Sequence, residues 1–323
     1  METKQKPIHS GFDGKTTAAE VAAGHDLTGK IALVTGGNSG IGYETVKALA
    51  NTGAHVIVGA RDAGKAEDKL AQLKNVSFIP LDLADPASVD QFAERILSRH
   101  RSLHILINNA GLFRLPELQK DQRGYELQFG VNHLGHFQLT GRLWPALKNA
   151  RGARVVALSS IGHRRMGLQL DDPSFDRHPF DTMKAYGQSK TANSLFAVEL
   201  DRLGQEYDVR AFAVHPGAIL TDIFRYMTEE QLQAWVQSVK GLSASPEDSF
   251  KTPQQGAATA VWCALSDQLE NIGGVYCEDC DIAALVPDDS QAIYGVRGWA
   301  VDPEQAVNLW RFSEAATGLN WPQ

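Results

Sequence analysis

The sequence predicts an α/β protein, a single doubly wound domain with a mostly parallel sheet of about seven strands and helices on both faces. Short apolar runs alternate with amphipathic helical patterns from Ile31 to Val214. The intervals between the runs are long enough for helical crossovers, which join parallel strands with right-handed connections. No linker, composition break or internal repeat divides the 323 residues. These observations favour one sheet over two domains.

Composition restricts the function classes. The net charge of −7 gives no electrostatic case for binding nucleic acid or an anionic membrane. No apolar run reaches the roughly 18 residues of a membrane span, so none is expected. The polar N-terminus lacks the apolar core of a secretion signal, and three cysteines are too few for a disulfide framework. We therefore expect a cytoplasmic protein with a small-molecule substrate, and a homo-oligomer is left open.

The first predicted strand, residues 31–34, leads into the glycine turn on which the functional interpretation depends. Gly36, Gly40 and Gly42 lie between this strand and an amphipathic helix. A glycine turn at this position lets the backbone approach a pyrophosphate, with the helix N-terminus facing the negative charge. An ordinary tight turn is the alternative. The domain containing the turn is predicted at 29–284, with an N-terminal extension at 1–28 and a C-terminal extension at 285–323.

The following elements continue the alternation. Further strands are predicted at residues 54–59, 76–81, 105–107, 154–158 and 209–214, and helices at 62–73, from Pro86, at about 118–148 and at 186–203. An apolar stripe at 222–250 then interrupts the pattern at helical spacing. It follows the carboxyl end of the sixth strand, where ligands bind in such sheets, so it is either a substrate lid or part of the core.

The end of the second strand indicates the cofactor. An acid there would bind the adenosine ribose, but Arg61 follows the strand instead. A guanidinium suits a 2′-phosphate, which favours NADP(H) over NAD(H). The alternative is a surface ion pair of Arg61 with Asp62 or Glu67. Asp82, after the third strand, is expected either to bond adenine or to cap the next turn.

Tyr186 and Lys190 are four residues apart in a predicted helix, so they share a face. A free tyrosine has a pKa of about 10 and is a poor acid–base group at neutral pH. An ammonium ~4 Å away contributes up to ~4 kcal/mol to phenolate formation at an effective dielectric of ~20. That matches the ~3–4 kcal/mol needed to lower the pKa by two or three units. The pair alone occurs by chance in many helices.

Several motifs together resemble the short-chain dehydrogenase/reductase family, whose members have a Rossmann-type fold. They occur in the family's order: Thr35-Gly36-x-x-x-Gly40-Ile41-Gly42, Asn108-Asn109-Ala110-Gly111, Asn132, Ser159-Ser160, Tyr186-x-x-x-Lys190 and Pro216-Gly217. The resemblance spans about Leu27 to Asp281. It implies an NADP(H)-dependent oxidoreductase that transfers hydride to or from a carbonyl or alcohol carbon.

The resemblance also implies roles. Tyr186 would be the general acid/base, Ser160 would hold the substrate oxygen, Lys190 would bond the nicotinamide ribose and lower the tyrosine pKa, and Asn132 would anchor a water. Since successive strand residues face opposite ways, only one of Ser159 and Ser160 can contact the tyrosine. The implied cofactor contacts are Gly36, Asn38, Ser39, Gly40, Ile41, Gly42, Arg61, Asp82, Leu83, Asn109, Ala110, Gly111, Tyr186, Lys190, Pro216, Gly217 and Thr221.

One departure from the family points to a branch. Residues 161–185 make a longer insertion between serine and tyrosine than most members carry, as in the retinol dehydrogenase-like branch, which implies apolar substrates. Met166, Leu168, Phe175 and Phe180 in the insertion either line the pocket rim or pack the loop.

Rival interpretations remain. They are a C=C reductase on the same scaffold and a non-catalytic NADP(H) sensor. Cys277 and Cys280 have C-x-x-C spacing, but a structural zinc site needs four ligands and no second pair exists, so no metal is expected.

Overall fold

The protein's computed structural model describes residues 4–242, 249–290 and 292–322. In these ranges one sheet has eight strands in the order β3-β2-β1-β4-β5-β6-β7-β8. All neighbours pair in parallel except β7 and β8. The strands are β1 Ile31–Thr35, β2 His55–Ala60, β3 Val76–Pro80, β4 Ile105–Asn108, β5 Ala153–Leu158, β6 Val209–His215, β7 Val275–Glu278 and β8 Asp281–Ile282. The predicted mostly parallel sheet is confirmed, with two short strands added at one edge.

Helices cover both faces, as predicted. They are α1 Ala18–Ala22, α2 Gly40–Asn51, α3 Ala63–Leu70, α4 Pro86–Leu97, α5 Leu127–Phe129, α6 Gly135–Ala150, α7 Thr182–Gly204, α8 Glu229–Leu242, α9 Pro253–Leu265 and α10 Pro303–Thr317. A two-stranded parallel ribbon, β9 Leu285–Val286 and β10 Val296–Arg297, lies beside the main sheet.

Two buried clusters follow from the alternation of side chains along each strand. In β1, Val34 joins a cluster with Val46 of α2 and Trp262 of α9, whereas its neighbour Leu33 joins the opposite cluster with Phe137 of α6. Helices cover both faces of the central strands, so residues facing either way are buried and apolar. This explains the continuous apolar runs in the sequence, which are typical of parallel sheets.

The long helix predicted at 118–148 begins later than expected. Residues 118–126 are not helical, and an isolated bridge pairs Lys120 with Glu126. The Glu126 carboxylate accepts the N–H groups of Gln128 and Phe129 and so caps α5. The prediction was wrong there because helical periodicity does not reveal a buried carboxylate cap. Similarly, α7 begins at Thr182 rather than 186, with Asp181 as its cap.

The terminal extensions pack against the domain. The Gln5 side chain bonds the backbone of Tyr276 and Ala283, and the Trp310 ring packs edge-on against Phe137 of α6 at a centroid distance of 5.0 Å. Across the described ranges, no helix has the length and apolar character to span a membrane.

The order of the strands locates the ligand crevice. The chain moves outward from β1 to β3 in one direction, then from β4 to β7 in the other. The switch point therefore lies between the carboxyl ends of β1 and β4, where doubly wound sheets bind their ligands.

Candidate active site

A cleft of about 800 Å³ opens at this switch point. Its lining contains the glycine turn at one end and the predicted catalytic helix at the other. Of the 17 residues that the resemblance assigns to the cofactor, all except Gly217 line the cleft. A Cβ built on Gly217 would meet the Lys251 side chain at 2.8 Å, so this lysine covers the glycine. This contact could not be predicted from spacing, because α8 separates the two residues along the chain.

The glycine turn is shaped for close approach of a phosphate. Gly36 has φ +65°, and a Cβ on Gly42 would lie only 2.2 Å from the Gly36 carbonyl oxygen, so neither position accepts a larger residue without rearrangement. The α2 helix begins at Gly40, and the Ser39 side chain makes no capping bond to it. The N–H groups of its first turn are therefore available to an anion.

A buried hydroxyl joins the glycine turn to the end of β4. Thr35 Oγ1 accepts the N–H groups of Asn109 and Ala110 at 2.9 and 3.0 Å and contacts His136 Nε2 at 2.8 Å. His136 Nδ1 lies 2.9 Å from the Asn132 carbonyl oxygen, so Nδ1 carries the proton and Nε2 accepts. Burial lowers the pKa of His136 to about 4, which keeps the ring neutral. The role of His136 was missed because its partners are distant in sequence.

Tyr186 lies at the floor of the cleft, 7% exposed. The Ser160 side chain interacts with the tyrosine hydroxyl, and the tyrosine ring packs edge-on against Phe113 at a centroid distance of 4.6 Å. Burial raises the pKa of Tyr186 to about 12, while the bond to Ser160 opposes this. The Phe113 contact was not foreseen, since no motif marks that residue.

Lys190 lies next to the tyrosine, with Nζ 5.5 Å from the centre of the Tyr186 ring. Its Nζ donates to the Leu158 carbonyl at 2.8 Å, and burial lowers the pKa of Lys190 to about 7. In the protein without cofactor, burial dominates both groups, because desolvation disfavours the charged form of the lysine as well as the phenolate. The expected lowering of the tyrosine pKa by this ammonium is not seen in this state and stays a prediction for the complex.

The two serines face opposite ways, as predicted from strand alternation. Ser159 Oγ bonds the Lys190 carbonyl and Ser194 at 2.8 Å each, which is a structural contact. Ser160 Oγ accepts the Gly162 N–H at 3.0 Å and is the serine that contacts Tyr186.

Asn132 lies in a π-helical turn, Gly130–Leu134, between α5 and α6. Its amide bonds both the N–H and the carbonyl of Leu112, at 2.8 and 3.1 Å, and also donates to Ser189 at 2.9 Å. A Cβ built on Gly111 would lie 3.2 Å from Asn132 Oδ1 and 3.7 Å from Lys190 Nζ. The asparagine therefore lies close behind the lysine, and π-turns of this kind are frequent at functional sites.

The far end of the cleft is lined by both basic and acidic residues. Arg61 lies there with Asp62, Asp82 and Lys69 of α3, a second cation that the sequence analysis did not single out. The Asp82 carboxylate accepts the Ala84 N–H at 3.0 Å, so it makes the turn-capping bond as well.

The first residues of the predicted lid at 222–250 lie along the cleft, where Asp222, Ile223 and Arg225 are among the lining residues. Thr221, which precedes the segment, touches the glycine turn: a Cβ on Gly40 would lie 3.2 Å from its methyl group. Phe224 connects this segment to Phe113 at 5.5 Å and to Trp235 of α8 at 4.4 Å. The predicted stripe members are all only half-buried, namely Phe224, Met227, Leu232, Trp235, Val236 and Val239. The part of the predicted lid at 243–248 lies outside the described residues.

If the segment is a lid, hydrogen exchange in α8 should slow when NADPH and a substrate analogue bind together, because closure buries its half-exposed side chains. Exchange mass spectrometry of α8 measures this, with α4, whose inner face is buried at Val89, Phe92 and Ile96, as an internal control. Equal protection of α8 with and without ligands would assign the stripe to the core.

The insertion and the cysteines serve packing. Phe175 and Phe180 pack edge to face inside the insertion, with their ring centroids 5.6 Å apart. Cys277 and Cys280 are buried free thiols with raised pKa values, because burial disfavours the thiolate. Within the described ranges, no group of three or more His, Cys, Asp or Glu side chains is arranged to hold a metal ion.

Comparison with known proteins gives consistent results. The family model for short chain dehydrogenase matches residues 30–232. The chain is 41% identical to a protein named "Probable oxidoreductase" from Streptomyces lividans, over 89% of this chain and 97% of the relative. It is 38% identical to retinol dehydrogenase 12 of Mus musculus, over 91% and 88% of the two chains. A short chain dehydrogenase from Burkholderia cenocepacia, solved in complex with NADP, superposes with a TM-score of 0.64 at 25% identity, over 79% and 98% of the chains.

Proposed function

The chain belongs to the short-chain dehydrogenase/reductase family of oxidoreductases, and from this premise we propose that it transfers hydride between NADP(H) and the carbonyl or alcohol carbon of a small apolar substrate. The observation that carries the proposal is the meeting of three groups at one end of the cleft. Tyr186 and Lys190 line the cleft, and the Ser160 side chain lies next to the tyrosine.

The residues fit a nicotinamide dinucleotide. The glycine turn offers first-turn N–H groups at the N-terminus of α2, Arg61 and Lys69 lie at the adenosine end, and Lys190 lies at the other end. The pyrophosphate would lie against Gly40 and the nicotinamide ribose against Lys190. When bound, the nicotinamide supplies the hydride chemistry.

The protein's own residues move the proton. In the direction of reduction, Tyr186 gives its phenolic proton to the substrate oxygen, and Ser160 holds that oxygen beside the hydroxyl. In the direction of oxidation the proton moves back to the tyrosine. Lys190 supplies the positive charge that stabilises the phenolate, and its pKa near 7 lets it exchange protons at physiological pH.

Apolar and aromatic side chains on and beside the cleft near Tyr186 support an apolar substrate. Leu112 and Ile223 line the cleft. The Phe113 ring packs against Tyr186 on one side and against Phe224 on the other. The retinol dehydrogenase relatives are consistent with this class.

Incubation with NADPH and a panel of apolar aldehydes, ketones and quinones tests the proposal. Loss of NADPH absorbance with at least one of them is expected, whereas no turnover with tight NADPH binding would favour a cofactor sensor.

Arg61→Ala is expected to weaken NADPH binding by roughly ten- to a hundredfold and to leave NADH binding nearly unchanged. The lost charge-assisted bond to the 2′-phosphate accounts for about 1.5–3 kcal/mol. Fluorescence titration with both cofactors measures the effect. Lys69→Ala should act in the same direction, since the two cations line the same end of the cleft. Tighter binding of NADH than NADPH by the wild type would contradict the proposed preference.

A further inference from the structure

His163 connects the serine loop to a distant part of the chain. The ring is fully buried, and it belongs to the one-turn 3₁₀ segment Ile161–Arg165 that follows Ser160. Its Nδ1 lies 2.8 Å from the Ser160 carbonyl oxygen, and its Nε2 lies 3.2 Å from the backbone N–H of Arg297. No motif assigned a role to either His163 or Arg297.

The two contacts fix the state of the ring. Because the Arg297 amide can only donate, Nε2 must accept, so Nδ1 carries the proton and donates to Ser160. Burial lowers the pKa of His163 to about 4, which keeps this single tautomer neutral at physiological pH. Without the Arg297 donor the ring would lose the contact that selects this tautomer, and the other tautomer cannot donate to the Ser160 carbonyl.

The next residue strengthens the same connection. The Arg164 guanidinium donates to the carbonyls of Ala292, Tyr294 and Gly295, the last at 2.7 Å. On the other side, the Thr191 hydroxyl of α7 donates to the His163 carbonyl at 3.1 Å. The loop is thus held between the catalytic helix and residues 292–297.

We propose that His163 is a positioning residue that fixes Ser160 beside Tyr186 by tying the serine loop to residues 292–297. This inference rests on the proposed function, in which Ser160 and Tyr186 act together. It gives the C-terminal extension a part in the reaction, because the Arg297 amide orients the ring that holds the serine backbone.

The loop at Gly162 is packed closely against Tyr186 and Ser160. A Cβ built on Gly162 would lie 2.7 Å from the Tyr186 ring and 3.4 Å from Ser160 Oγ, so the backbone passes directly beside both groups. The Gly162 N–H also bonds Ser160 Oγ. A shift of the loop therefore moves the serine hydroxyl relative to the tyrosine, and small misplacements of catalytic groups are costly.

His163→Leu removes both ring bonds and is expected to lower kcat by about 10- to 100-fold, with the NADPH dissociation constant within about twofold of wild type. Its pH profile in the oxidation direction should shift to higher pH, because the Ser160 bond lowers the pKa of Tyr186. His163→Asn can keep the bond to Ser160, and His163→Gln can keep the bond to Arg297, so each should be intermediate. His104→Leu is the matched control. His104 accepts the Ile31 amide at 3.0 Å at the amino ends of the central strands β1 and β4, whereas the cleft lies at the carboxyl ends.

Two substitutions at Arg297 test the role of its backbone amide. Arg297 has φ −74°, which proline can adopt, so Arg297→Pro removes the amide donor at a compatible position. Arg297→Ala keeps the amide. Only the proline variant should lower kcat and speed hydrogen exchange at Gly162 and His163, whose N–H groups both bond Ser160.

The outcomes separate the inference from the function on which it rests. Wild-type kcat and pH profile in both His163→Leu and Arg297→Pro would overturn the inference, provided that Ser160→Ala loses turnover. Retention of turnover by Ser160→Ala would instead overturn the proposed function of the serine.

Discussion

Replacement of Tyr186 by phenylalanine is expected to lower kcat by about 10²–10⁴-fold, the usual contribution of a positioned acid–base group. Phenylalanine preserves the ring that packs against Phe113 at 4.6 Å, so the cleft should keep its shape. It has no hydroxyl proton to exchange with the substrate oxygen and no bond to Ser160. NADPH affinity should stay nearly intact, because the ring is not expected to be a main cofactor contact.

Steady-state rates on a confirmed substrate, together with NADPH fluorescence titration, measure both halves of this prediction. Tyr207→Phe is the control, since Tyr207 packs against Trp144 away from the cleft. Wild-type kcat in Tyr186→Phe, with chemistry shown to be rate-limiting, would rule out the proposed acid–base role.

Lys190→Met is expected to lower both turnover and cofactor affinity. Methionine keeps much of the apolar stem but removes the ammonium that lies 5.5 Å from the Tyr186 ring and 2.8 Å from the Leu158 carbonyl. Loss of a charge-assisted bond to the ribose would weaken NADPH binding by roughly ten- to a hundredfold, from about 1.5–3 kcal/mol. The same loss removes a charge that favours the phenolate, so kcat should fall as well.

Lys184→Ala is the matched control, because Lys184 is exposed on the same helix, α7. It removes an equal charge without touching the cleft. Wild-type NADPH affinity in Lys190→Met would contradict the assignment of the lysine to the ribose. If only kcat falls, Lys190 acts on Tyr186 and does not contact the ribose.

The parallel sheet could be predicted because each central strand is a continuous apolar run between helical patterns. The two short strands at the end of the sheet beyond β6 could not. The short β7 is defined by its parallel pairing with β6 from Phe212 to His215, and β8 by its antiparallel return onto β7. Those pairings are long-range backbone contacts. The start of α5 was missed for the same kind of reason, since Glu126 caps it from a buried position.

Motif spacing identified which residues meet in the cleft, but not how each is held or charged. Thr35 and His136 join the glycine turn to Asn132 through side chains that no spacing rule connects. The Tyr186 pKa also went against expectation, because a distance argument counts the lysine charge and omits the burial shared by both groups. Contacts and desolvation depend on the folded surroundings, which sequence alone does not supply.

The proposed hydride transfer to a carbonyl carbon is tested by following where the hydride of NADPH goes. Purified protein is incubated with NADPH carrying deuterium at nicotinamide C4 and with an apolar ketone or aldehyde that it consumes, and the product is analysed by mass spectrometry and NMR. We expect oxidation of the cofactor with deuterium on the carbinol carbon, together with loss of that product in Tyr186→Phe. Deuterium at the carbon of a reduced C=C bond, in a product whose carbonyl is intact, would contradict the proposed transfer.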